Sequence, residues 1–138
     1  MGNEWVKVEL YGSNNDGEQR RYTIADATAV SQGTVLALAD PRTVTASTAA
    51  TTTFAGIAAE DHNPNEGVTS ISAWTDGVFL AVASGGITVG WSVAGCENNK
   101  AISGAIIAGS ALNVGAGILG YALNTATTGQ TAMVRLKM

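Results

Sequence analysis

The chain has 138 residues, enough for a single core that needs neither disulfides nor metal to hold it. Hydrophobic residues make up 46% and charged residues 13%, against a usual charged fraction of roughly 25%, so the polar surface is mostly Thr, Ser, Asn and Gly. The formal net charge is −4 with seven scattered Lys and Arg, which excludes a nucleic-acid face built on clustered cations; one cysteine excludes an internal disulfide framework.

The N-terminus carries no basic segment followed by an apolar stretch, so the reading expects no signal peptide and synthesis in a cytoplasm. Trp5–Tyr11 alternates: Val6, Val8 and Leu10 fall on one face, and Trp5, Lys7, Glu9 and Tyr11 on the other. Gly12–Gly17 is rich in turn residues. The expected division is an N-terminal strand and loop over residues 1–18, then one β domain over 19–138. Strands are expected at Gln19–Ala25, Thr34–Ala39, Arg42–Ala46 and Thr53–Ala59. Asp40-Pro41 is a turn signal between the second and third of these.

Glu60–Gly67 has turn composition, and Val68–Trp74 and Val78–Ala83 read as strands separated by Thr75-Asp76-Gly77. Short strands are expected at Ile87–Ala94, Ala105–Leu112, Ile118–Asn124 and Gln130–Lys137. In the last, Ala132, Val134 and Leu136 face one way, and Met133, Arg135 and Lys137 the other. Neither proline falls inside a strand. The fold class is all-β, a compact antiparallel barrel or sandwich. Ala101–Val134 carries no charge and Ala101–Leu123 is long enough to span a bilayer, but five glycines in that span (Gly104, Gly109, Gly115, Gly117 and Gly120) argue for broken strands over a membrane helix.

Three short segments recur in the same order, with roughly sixty residues between partners. Val30-Ser-Gln-Gly-Thr-Val-Leu36 resembles Ile87-Thr-Val-Gly-Trp-Ser-Val93. Phe54-Ala-Gly-Ile-Ala58 resembles Ile118-Leu-Gly-Tyr-Ala122, and Gly67-Val-Thr-Ser-Ile71 resembles Gly129-Gln-Thr-Ala-Met133. The pattern predicts two related β units closing onto one core.

Candidate chemistry is sparse. His62 lies among Glu60, Asp61 and Glu66, which could hold a hard cation, but alternating-ligand spacing is missing and a solvated acidic loop is the reading adopted. Cys96 and His62 could form a nucleophilic pair, yet nothing in the sequence brings them together, and Glu97-Asn98-Asn99 reads as a turn. No phosphate loop, nucleophile elbow or metal-ligand pattern is present, so neither catalysis nor a cofactor is expected. The aromatics are more informative. Trp74, Phe79 and Trp91 are expected in the core. Trp5, Lys7, Glu9 and Tyr11 are the candidate partner-binding face of an arm that adds to a β element of another chain, with Trp5 as its anchor.

The succession Ala29–Leu36, Phe54–Ala58, Gly77-Val-Phe-Leu80, Ile87–Val93, Ile118–Leu123 and Thr131–Leu136 resembles the head decoration, or capsid cement, proteins of tailed double-stranded DNA bacteriophages, over about Thr23–Met138. In that family an acidic residue usually follows the second glycine; here Trp91 stands there, and Thr34 follows the first. The resemblance implies a barrel-like domain on the outer surface of an assembled capsid. Its partners would be the major capsid protein and other copies of itself, a trimer ahead of a dimer, with no nucleic acid and no membrane. The competing expectations are another all-β virion component (a head fibre base or a tail protein) and a carbohydrate-binding β module, with a hydrolase last.

Overall fold

The computed structural model describes residues 3–9, 19–47, 54–95, 99–103 and 119–137. Eleven strands are found among them: β1 (Val6–Glu9), β2 (Gln19–Thr23), β3 (Val35–Asp40), β4 (Thr43–Ala46), β5 (Phe54–Ala58), β6 (Ser70–Trp74), β7 (Asp76–Val82), β8 (Ser92–Gly95), β9 (Ala101–Ser103), β10 (Gly120–Ala122) and β11 (Thr131–Lys137). The fold is all-β, as the alternating patterns and glycine turns require. Most strand expectations fall on these elements. Ala105–Leu112 lies outside the described residues, and Asp76-Gly77 is not a turn but the start of β7, with only Thr75 between it and β6.

The first five strands after β1 close into a barrel in the order β2-β4-β3-β5-β6, and the rest form a six-stranded sheet, β1-β7-β11-β10-β8-β9. These two units repeat one another strand for strand. β3 pairs β5 with Leu36 opposite Gly56, and β8 pairs β10 with Val93 opposite Gly120. β5 pairs β6 with Ala58 opposite Ala73, and β10 pairs β11 with Ala122 opposite Val134. The barrel closes through a parallel contact at Thr23–Thr43, and a parallel bridge joins Ala83 to Ala101 at the matching place. Before β3 and β8, Val30 bridges His62 and Ile87 bridges Ala126. The pairings are thus antiparallel except for this closing contact in each unit.

The recurring glycines have a physical cause. A Cβ on Gly56 would lie 2.4 Å from the carbonyl oxygen of Trp74, and one on Gly120 would lie 1.9 Å from that of Arg135. Ile57 faces Trp74 and Tyr121 faces Arg135, so the two obstructing carbonyls occupy matching places on β6 and β11. Each unit needs its neighbouring backbone closer than any side chain allows.

The buried residues form two clusters, which corrects the expectation of one core. The first lies among the barrel strands: Ile24, Val30, Leu36, Val44, Ala55, Ala58, Ile71 and Ala73. The larger one combines the inward residues of the second unit, among them Phe79, Val93, Leu119, Ala132, Val134 and Leu136, with Val35, Phe54, Ile57 and Trp74 from the first. Strand alternation explains the split, since Leu36 and Val35 point to opposite faces of β3. One face fills the barrel and the other packs on the second unit. The Trp74 and Phe79 rings meet there at 5.5 Å between centroids.

Candidate interaction surface

The N-terminal strand does not project. β1 pairs with β7 of its own chain, Val6 opposite Leu80 and Lys7 opposite Phe79, and the register slips between Lys7 and Glu9. Just before it, the Trp5 main-chain N–H donates to the Gly33 carbonyl at 2.9 Å. Trp5 is only 3% exposed and belongs to the larger core, whereas Val6 and Val8 are 57% and 50% exposed. The face assignment from sequence is therefore reversed at Trp5. Period-two alternation defines two faces but not which is buried; here the docking of Trp5 against Gly33 buries that one residue, while Val6–Glu9 are exposed on both faces. Lys7 and Glu9 are exposed, Lys7 Nζ lying 5.4 Å from the Trp74 ring centroid, a cation–π distance. Tyr11 and Leu10 lie outside the described residues.

Asn99 holds the arm and both units together. Its carbonyl accepts from Trp5 Nε1 at 2.9 Å, and its Oδ1 accepts from the Val35 N–H at 2.8 Å. Its Nδ2 donates to the carbonyls of Asn3 and Gly33, both at 3.0 Å. Asn99 is 4% exposed and adopts φ 60°, a left-handed conformation that asparagine tolerates better than most residues. Glu97-Asn98-Asn99 has the composition of an ordinary turn, yet Asn99 is a buried junction.

The loop around His62 is solvated as expected, with Asp61 and residues 63–69 exposed, but His62 itself is buried in it. It is 3% exposed, its backbone exchanges hydrogen bonds with Val30, and its Nδ1 and Nε2 lie 2.6 and 2.7 Å from the carbonyl oxygens of Thr28 and Val68. Both partners can only accept, so the geometry suits the doubly protonated ring, and these two contacts are the main cause of a raised pKa. Asp26 and Glu60 add to it, and burial opposes it. The acidic neighbours are used locally. Asp61 accepts from the Gln32 N–H at 2.7 Å, and Glu60 lies 3.8 Å from the Arg21 guanidinium. Among the described residues no group of three His, Cys, Asp or Glu side chains converges as a metal site. No described helix is long and apolar enough to cross a membrane. Cys96 lies outside the described residues.

The exposed apolar residues concentrate on the second unit. Trp91, expected in the core, is 48% exposed, and Val89, Tyr121 and Leu123 are 55%, 40% and 39% exposed. They sit on adjoining backbone: Ala122 N–H donates to the Trp91 carbonyl, Gly90 N–H donates to the Ala122 carbonyl, and Ser92 faces Tyr121. Tyr121 lies on β10 and the other three in the segments flanking β8 and β10, and exposed aromatics and aliphatics placed this way are of the kind that marks a contact surface. The internal repeat contained the signal for it, because Tyr121 stands where Ile57 stands in the first unit.

No protein-family model and no curated protein matches the sequence. Among solved structures the fold is similar to the N base of the head fibre protein gp8.5 of bacteriophage phi29, with a TM-score of 0.54 and 17% identity. The match covers 87% of this chain and 95% of that one, so the likeness takes in both units.

Proposed function

We propose that this chain is a non-enzymatic structural protein of a tailed-phage virion that binds the outer surface of the assembled capsid and stabilises it. The observation that carries the reading is the end-to-end likeness of fold to a phage head fibre base. The motif resemblance to capsid cement proteins and a charge-poor surface agree with it, since uncharged strands can be buried against a neighbour with little desolvation cost. The mechanism is mass action: a protein that binds only the assembled shell stabilises that state at each site it occupies. The proposed partners are the major capsid protein and other copies of the chain, a trimer ahead of a dimer.

A second reading is the base of a head fibre, which the same fold likeness favours directly. One experiment tests both. Purified chain is added to phage heads lacking it and the particles are imaged by cryo-electron microscopy. Low density repeated over equivalent lattice positions supports decoration. Density continuing into a projecting stalk on native virions supports the fibre base. Heads that take up no chain, and native virions that carry none, would overturn the virion assignment.

A further inference from the structure

We propose that the His62 side chain is a pH-sensitive latch on the loop of residues 63–69, shut while the ring carries both protons and released when it loses one. The two units differ here at matching positions. Val30 bridges His62 in the first, and Ile87 bridges Ala126 in the second. Seven residues, 63–69, then lead to β6, whereas four, 127–130, lead to β11. The shorter turn closes on itself, because Gln130 N–H donates to the Thr127 carbonyl and Thr127 N–H donates to Gln130 Oε1. Ala126 is buried there and its side chain offers no polar group. The longer loop has a histidine in its place.

Residues 63–69 are all exposed, so apolar burial does little to hold them. Their ties run to residues 24–28 and to the ring. Asn65 N–H donates to the Asp26 carbonyl and Gly67 N–H to Asp26 Oδ1, both at 2.9 Å, and Ile24 N–H donates to the Thr69 carbonyl at 3.0 Å. The ring spans the gap between the two segments, with Nδ1 2.6 Å from the Thr28 carbonyl oxygen and Nε2 2.7 Å from that of Val68. A neutral imidazole has a single N–H. On losing a proton the ring sets a lone pair against one of these two oxygens, and that contact turns repulsive. Val68 is the side that yields. It is 44% exposed, so its carbonyl can turn to water, while Thr28 is half-buried and two residues from the Val30 bridge.

The charges that act on the ring are Asp26, from the segment before β3, and Glu60, just after β5. Glu60 also pairs with Arg21 on β2, Asp61 is engaged by the Gln32 N–H, and Glu66 on the loop is exposed. Histidine is the side chain whose charge ordinarily changes in the neutral range. The latch is therefore shut below the folded pKa of His62 and opens as pH rises through it.

The test uses the free chain and stands apart from capsid binding. Amide hydrogen exchange is followed by NMR from about pH 5 to about pH 9, each rate divided by the intrinsic rate at that pH. Protection at Asn65 and Gly67 should fall at least about fivefold, the effect of losing one ordinary hydrogen bond, with the midpoint of the His62 ring titration. At each pH a low concentration of denaturant should leave these two rates unmoved and quicken exchange at the amides of β7 and β11, because opening the loop exposes little surface. His62→Ala, which copies the second unit, should give the open value at every pH. His62→Gln, used if the alanine variant does not fold, should also show no pH dependence. Protection independent of pH in the wild type, a midpoint apart from that of the ring, or a pH dependence kept in either variant would overturn the latch. So would loop amides as sensitive to denaturant as those of the core strands, since the whole domain would then be opening.

Discussion

The Trp5 indole N–H donates to the Asn99 carbonyl at 2.9 Å, across a sequence separation of 94 residues. With the side-chain bonds of Asn99 to Asn3, Gly33 and Val35, this one contact ties the N-terminal strand to both units. Trp5 is therefore expected to act on stability. Trp5→Ala should cost about 3–5 kcal/mol, the usual range for emptying a buried aromatic site. Each kcal/mol moves the melting temperature of a domain this size by roughly 2–8 °C. Thermal denaturation measures it directly, and an unchanged melting temperature would mean the indole is not part of the core.

The paired glycines should be intolerant in both units. Gly120→Ala drives a Cβ into the Arg135 carbonyl, and Gly56→Ala drives one into the Trp74 carbonyl from a φ of +148° that side chains disfavour. Overpacking of this kind typically costs about 1–3 kcal/mol, and contacts this short belong at or beyond the upper end. Gly86→Ala meets open space and should behave as wild type. Equal denaturant midpoints for all three variants would contradict the close strand approach.

His62 should make stability depend on pH. Its folded pKa is raised above the unfolded value, chiefly by the Val68 and Thr28 carbonyls. The extra stability is then fully present below the ordinary histidine range and is lost as pH rises through the folded pKa. The wild type should melt higher near pH 6 than near pH 8, and His62→Gln should reduce that difference. A wild type whose melting temperature does not fall across this interval would show that the buried ring is neutral.

Thr34 tests the opposite case, a polar group whose loss should help. It is 1% exposed, and among the described residues its Oγ1 has no hydrogen-bond partner. Thr34→Val keeps the shape and removes the unsatisfied hydroxyl, so stability should rise by about 1 kcal/mol. A lower denaturant midpoint for the valine variant would indicate that the hydroxyl does find a partner.

Local pattern determined what local physics controls. Alternation in Thr131–Lys137 placed Ala132, Val134 and Leu136 on one face, and that face is buried. The repeated glycine segments announced two related units, because each glycine answers a constraint set by the next strand and that constraint recurs. Tertiary structure decided the rest. Whether Trp5 or Val6 is buried is invisible to a period of two, and the choice was made at Gly33, far along the chain. Trp91 and Trp74 look alike as strand aromatics, yet only Trp74 has a second unit packed over it. His62 and Asn99 sit in turn-like sequence because turn residues carry side chains short enough to satisfy buried backbone groups. Which groups those are depends on contacts between distant segments.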